Sequence, residues 1–360
     1  MVMSNFEIIG LMSGTSMDGL DVVQVSLELN GENDRFELKN SATFELPIEI
    51  KNRLLAAPFS NVQQISQLDH DIAQYYARSV NEFISSNNID RKTINAIASH
   101  GQTILHQPWN GFSLQIGHGT TLAFHTGIQV INDFRNHDVV AGGQGAPLVP
   151  IGDFGIFSEF AEGFLNIGGF VNFSFKDSQG KIIAYDICPG NLPLNKLVIS
   201  KELSFDKDGA LAASGEINFY LLDLLNSLEF YNQSGPKSLG TEWLEEHFYP
   251  KLKFDKEIEN NLRSVVEHIA IQTGQKLNEA GLSKVLVTGG GAKNNFLIQR
   301  IQHYFNGKLI IPENDIIDFK EAIIFAYLGA LYLENRPNAL SSVTGASRNM
   351  ICGVLHKTGF

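Results

Sequence analysis

Two apolar, β-branched segments enclose a run of glycine, serine, threonine and aspartate in "IIGLMSGTSMDGLDVVQVSLEL" (Ile8 to Leu29), and no other stretch restricts the fold so strongly. The flanking patterns predict two strands, and the small residues between them predict an antiparallel hairpin. A simple reversal takes only about two to five residues. Gly10, Gly14 and Gly19 with Ser13, Thr15, Ser16 and Asp18 exceed that need. Glycine lets a backbone approach a ligand closely, successive free N–H groups form an anion nest, and hydroxyls add donors. Nucleotide phosphate fits this description.

The second half of the chain repeats the theme. "GFLNIGGFVNFSF" (Gly163 to Phe175) is again strand, small-residue turn, strand, and "KVLVTGGGAKNNFLIQRIQHYF" (Lys284 to Phe305) is a buried strand that ends in three glycines and opens a helix, like "NAIASHGQT" in the first half. Internal repetition of this kind predicts two related α/β lobes. Between the repeats, apolar spacing predicts a helix from Asn61 to Ser86 and strands at Ile94 to Ser99 and Gly127 to Phe134. The run "AGGQGAPLVP" continues neither element, which places the expected hinge there, with lobes at 1–140 and 141–334 and the segment 335–360 completing the first. No G-x-x-x-x-G-K-[ST] occurs, and "GGGAKN" lacks the third glycine of G-x-G-x-x-G, so the P-loop and dinucleotide-binding folds do not account for the turns.

Bulk properties limit the partners. A chain of 360 residues with 43% apolar and 18% charged residues has material for two domains with real cores. A net charge of −12 argues against a broad nucleic-acid surface. Cys188 and Cys352 are too few for a disulfide framework, a strand pattern begins near the N-terminus without a leader, and no window approaches the ~20 apolar residues of a membrane span. The expectation is a cytoplasmic protein with a small-molecule substrate. His100, His106, His118, His125 and His137 lack metal-site spacing.

One carboxylate stands out. "GKIIAYDICPGNLPLNKLV" puts Asp186 at the end of an apolar strand, before Pro189, Gly190 and Asn191 open a helix. It reads equally as a turn or cap residue and as a base beside a phosphate.

Taken in order, "GLMSGTSMDGLD", "SHGQT", "DFRNHDVVAGGQGAPLVP", "LNIGGFVN", "DICPGN", "DKDGALAASG", "PKSLGTEW", "TGGGAKN", "EAIIFAYLGA" and "VTGA" resemble the anhydro-N-acetylmuramic acid kinase family from about Gly10 to Ala346. The resemblance implies a two-lobed actin-like ATPase fold of duplicated ribonuclease H-like domains, with ATP and sugar in the interlobe cleft, and a homodimer. It implies that an aspartate-activated water opens the 1,6-anhydro ring while O6 takes the γ-phosphoryl of ATP. By matched position the base is Asp186. Gly14, Thr15, Ser16, Met17, Asp18, Gly19, Leu20 and Asp21 match the ATP signature, and Asp18 or Asp21 would orient Mg²⁺ through water. Gly168, Gly169 and Asn172 would form a second phosphate turn, with Gly289, Gly290 and Gly291 beside the adenosine. Gln102, Thr103 and Glu321 would hold the sugar, Glu321 also reading as a helix-start residue.

Many relatives carry small residues after the base, where this chain has Ile187 and Cys188. A nucleophilic Cys188 is the sharp alternative, without an evident His partner. "EFYNQSGPKSLGTEW" reads as a loop anchored by Trp243, its chemistry giving no support for a part in binding. Two further functional readings stay open: a kinase for an open amino sugar, and a nucleotide-gated binding protein on the same scaffold.

Overall fold

A computed structural model describes residues 3–14, 17, 19–31, 33–233, 237–254 and 257–359. The chain divides into two compact units, one running to Phe157 and resuming at Phe319, the other from Ser158 to Asp318.

In the first unit, β1 (Ser4–Met12), β2 (Gly19–Leu29) and β3 (Arg35–Glu45) form an antiparallel meander. β4 (Ala96–Ser99) then adds parallel to β1. β5 (Gln102–Gln107) and β6 (Phe112–Ile116) make a separate hairpin, and β7 (Val130–Asn132) returns to lie parallel to β4. The C-terminal strand Val354–His356 closes the edge antiparallel to β7. The expected strand over Gly127 to Phe134 shrinks to three residues, because Gly127 is left-handed and ends the preceding helix, and Asp133 also has positive φ.

The second unit repeats this order. β8 (Gly163–Ile167), β9 (Phe170–Lys176) and β10 (Ile182–Pro189) are antiparallel neighbours, β11 (Lys284–Thr288) is parallel to β8, and β12 (Lys308–Ile310) is parallel to β11. The orders β3-β2-β1-β4-β7 and β10-β9-β8-β11-β12 have the same relative directions. This is the duplicated ribonuclease H-like arrangement of the actin-like ATPase fold.

Helices cover the sheets. α1 (Val62–Ser86) starts at a capping box in which Asn61 and Gln64 satisfy each other's main-chain N–H, and it buries Leu68, Ile72, Tyr76, Val80 and Phe83. α2 (Gly119–Thr126) and α3 (Val149–Ile156) follow in the first unit. α4 (Asn191–Val198), α5 (Ile258–Glu279) and α6 (Asn295–Tyr304) belong to the second, and α7 (Asn314–Leu333) carries the chain back to the first.

The boundaries differ from those expected at 140/141 and 334/335. The glycine-proline run and α3 are tied to the first unit: Arg135 donates to the Gly145 carbonyl (2.8 Å), the Gly145 N–H donates to Asp138 (2.8 Å), and the Phe157 ring meets Phe36. Most of α7 belongs there too, through a Lys320–Asp153 ion pair of 2.6 Å and a Tyr327 hydroxyl bonded to Asp34. Composition marked a loop; side-chain anchoring made it part of a core.

Candidate active site

Sheet register assembles the polar residues of the second unit. Thr288 on β11 lies opposite Asn166 on β8, Asn166 opposite Asn172 on β9, and Asn172 opposite Asp186 on β10. Directly opposed residues project from the same face, so these four strands carry one polar row ending in a carboxylate. Only Asn172 and Asp186 were recognisable beforehand, since pairing across strands is not written in local sequence.

Three glycine turns surround the row. The Gly190 N–H donates to the Gly169 carbonyl and the Asn191 N–H to the Gly168 carbonyl, both at 2.8 Å, joining the β8–β9 turn to the start of α4. Gly289 has φ +82°, and a Cβ there would stand 2.5 Å from Asn166 Oδ1. At Gly291 a Cβ would reach 2.2 Å from Ile167 Cγ2. A Cβ on Gly290 would meet, among the described residues, Asn191 Nδ2 alone, at 3.7 Å. Gly168 and Gly169 thus share Asn166, Ile167 and Asn191 as neighbours with Gly289, Gly290 and Gly291.

Asp186 is half-buried and held from one side by main chain. Its N–H donates to the Lys237 carbonyl (2.9 Å), and the Leu239 N–H donates to its Oδ2 (2.8 Å). Burial raises its carboxyl above the ordinary value, and the Leu239 hydrogen bond opposes the shift. The result is a carboxylate of enhanced basicity with one oxygen oriented.

In the first unit, Thr15, Ser16 and Asp18 lie outside the described residues. Around them, the Met17 N–H donates to the Gly14 carbonyl (3.2 Å), and Met17 has φ +56°, a left-handed conformation costing about 1–2 kcal/mol in a residue with a Cβ. The strain at Met17 falls inside the ATP-signature match. Gly19 begins β2, where a Cβ would come 2.8 Å from the Phe44 carbonyl oxygen. Leu20 is fully buried in the core, so its side chain is scaffold. Asp21 accepts from the Thr43 hydroxyl (2.6 Å) and is the third residue of β2, as Asn172 is of β9.

Gln102 is buried and engaged at both ends of its amide: the Ser13 hydroxyl donates to Oε1 (2.6 Å), and Nε2 donates to the Gly14 carbonyl (3.2 Å). It braces the opening turn. Thr103 is half-buried, with Gln115 Nε2 at 3.4 Å from its hydroxyl. Glu321 lies well inside α7, so the helix-start reading is wrong: the helix begins at Asn314. Solvent reaches Glu321, yet protein packed around it raises its carboxyl, with Lys320 and Arg135 opposing and Asp21 and Asp153 reinforcing the rise. Nearby, Arg135 donates to His100 Nε2 (2.8 Å); burial and the Arg135 charge push the His100 imidazole down to about 3, so it stays neutral and accepts. Neither residue was singled out from sequence as a site residue. Among the described residues, no group of three or more His, Cys, Asp or Glu could hold a metal ion, and no helix is long and apolar enough to cross a membrane.

A family model for anhydro-N-acetylmuramic acid kinase matches residues 6–358. The chain belongs to the anhydro-N-acetylmuramic acid kinase family. It is 35% identical to the anhydro-N-acetylmuramic acid kinase of Aliivibrio fischeri over 97% of this chain and 98% of that one. It is also 37% identical to the Shewanella baltica protein of the same name, over 98% of each chain. Among solved structures, it is similar to a 2-hydroxyisocaproyl-CoA dehydratase activator from Clostridium difficile with bound ADPNP, at 14% identity and TM-score 0.43, over 92% of this chain and 97% of that one. As a member of this family of sugar kinases, the chain is a transferase.

Membership sharpens the question of Ile187 and Cys188 beside the proposed base. A bulge falls between Asp186 and Cys188, leaving Ile187 out of register. Both side chains are buried in the core of the second unit. Cys188 Sγ lies 4.0 Å from the Thr273 hydroxyl, and burial holds its thiol far above the ordinary value. A neutral, enclosed thiol is no nucleophile.

Proposed function

We propose that this chain opens the 1,6-anhydro ring of 1,6-anhydro-N-acetylmuramic acid and phosphorylates O6 with ATP. Asp186 takes a proton from a water that attacks C1. The C1–O6 bond breaks, O6 bonds to the γ-phosphorus, ADP leaves, and the proton passes from Asp186 to solvent. Water gains nucleophilicity as its proton departs, and O6 gains it as it leaves carbon. The products are N-acetylmuramic acid 6-phosphate and ADP.

The observation that carries this reading is Asp186 at the end of a polar row ringed by three glycine turns, in a chain of this family. In it Gly168, Gly169 and Asn172 face phosphate, and Gly289 to Gly291 lie along adenosine. Gly14 to Asp21 receive the remaining phosphates, and Thr103 and Glu321 contact the sugar. Gln102 supports Ser13 and Gly14 instead of touching sugar, both ends of its amide being engaged. Asp21 is a half-exposed carboxylate, a group that suits Mg²⁺ held through water, since this ion keeps part of its hydration shell. Mg²⁺ would supply charge neutralisation on the phosphates. A cytoplasmic homodimer completes the reading, its state checked by analytical ultracentrifugation.

The test is turnover in ¹⁸O-labelled water with the anhydro sugar as sole acceptor. Label at C1 and phosphate at O6 are expected; an open amino sugar phosphorylated without label at C1 would favour the simpler kinase. Asp186→Asn should retain nucleotide binding while kcat falls by about 10²–10⁴. Normal turnover by that variant would refute the base.

A further inference from the structure

Asp186 is oriented by a segment that the mechanism above does not use. The Lys237 carbonyl and the Leu239 N–H hold its main chain and its Oδ2. Among the described residues, Oδ1 has no hydrogen-bond partner. The segment is braced in turn. Lys237 Nζ donates to the carbonyls of Phe230 (2.7 Å) and Gln233 (3.2 Å) and lies 4.1 Å over the Phe230 ring. Trp243 packs against Phe230, ring centres 5.5 Å apart.

The brace ends in a buried polar chain. Asn226 Oδ1 accepts from Gln272 Nε2 (3.0 Å), so His268 Nδ1, 2.7 Å from the same oxygen, carries its proton and donates. His268 Nε2 must then accept, and the Tyr231 hydroxyl donates to it at 2.8 Å. Burial keeps His268 neutral, pushed down to about 3, and holds the Tyr231 phenol well above its usual value, so no step of the chain reverses over the working pH range. His268 lies on α5, whose Leu262, Val265, Val266 and Ile269 belong to the second unit's core, and it holds the Tyr231 hydroxyl.

We propose that Lys237 to Leu239 form a positioning clamp for Asp186, braced by Lys237 Nζ on the Phe230 and Gln233 carbonyls and anchored through Tyr231–His268–Asn226, which occupies Oδ2 and leaves Oδ1 to take the proton from water. This rests on Asp186 being the base. Tyr231, His268 and Asn226 are positioning residues, and the Leu239 N–H is the contact through which they act. The ionisable groups around Asp186 are Tyr185 and Cys188 on its own strand and Lys237 on the segment, with Lys276 and Glu279 of α5 acting on Lys237.

The decisive variant replaces Leu239 by its α-hydroxy acid analogue, which turns the N–H into an ester oxygen and leaves the side chain. A hydrogen bond to the ionised carboxylate favours that form. Its loss should therefore move the acidic limb of the kcat–pH profile upward by about one unit and lower kcat about tenfold, with KM for ATP unchanged. Tyr231→Phe should shift the same limb in the same direction by less. Wild-type kcat and an unmoved limb in the ester variant would overturn the clamp. So would a fall in kcat that comes with a lowered melting midpoint and an unmoved limb. Should the ester variant not fold, the limb of Tyr231→Phe decides by the same criteria. Asp186→Asn separates the two ideas: an inactive Asp186→Asn with unaltered clamp variants removes the clamp alone, whereas an active one removes the base and the clamp with it.

Discussion

Asp186 and Asp34 show how opposite surroundings give two aspartates opposite uses. Burial raises the Asp186 carboxyl, so its charged form is disfavoured in the folded protein, and above that raised value the ionised group detracts from stability. Asp186→Asn should hold or raise the melting midpoint at neutral pH while turnover collapses, a separation read by calorimetry beside an activity assay. Asp34 goes the other way. Burial alone would raise it, but Arg336, the Tyr327 hydroxyl and the Gly31 and Asn30 amides outweigh burial and lower it from 3.8. Arg336 Nη2 and Tyr327 each lie 2.7 Å from Oδ2. The stability Asp34 provides is present above its unfolded value and disappears as pH falls through the lower folded one. Asp34→Ala strands a half-buried Arg336 and a buried Tyr327 hydroxyl and should cost about 1–3 kcal/mol in chemical denaturation at pH 7, the loss shrinking in strong acid.

At the scale of elements, α7 sets the geometry of the first unit by lying directly on the sheet. A Cβ on Gly10 of β1 would stand 2.2 Å from the Ala322 carbonyl oxygen, and one on Gly329 would stand 2.6 Å from Ala98 Cβ. Gly10 thus serves helix packing, although it sits in the run that reads as a phosphate cradle. Helix backbone cannot yield to a methyl group without moving, and Glu321 adjoins the contact. Gly10→Ala should destabilise the protein by about 1–3 kcal/mol and raise KM for the anhydro sugar more than KM for ATP. Equal changes in both constants would show that the helix does not carry a sugar contact.

Across the whole molecule, ligand binding offers a global readout. A nucleotide that binds the native state alone stabilises it by about 2.7 kcal/mol at a hundredfold excess over Kd. The melting midpoint should climb with the concentration of a non-hydrolysable ATP analogue, and should do so equally in Asp186→Asn. Loss of that response in Asp186→Asn would place the residue in nucleotide binding instead of water activation.

Hairpins, glycine-ended strands and the amphipathic α1 were legible because each is specified locally, by periodicity of two or 3.6 and by residues that tolerate unusual φ. The family was legible too, since its strings are contiguous. What depended on tertiary structure was everything joined through the main chain or across register. Thr288 and Asn166 enter the site only because four strands align, and Leu239 only because its N–H, which every residue but proline possesses, happens to face a carboxylate. The run at 141–150 reads as a hinge by composition, yet Arg135, Asp138 and Phe36 tie it and the helix that follows to a core. Residue type determined which chemistry and which local shapes were available to this chain; three-dimensional pairing decided which of those groups meet, because a hydrogen bond or a packed ring depends on distances that sequence separation does not encode.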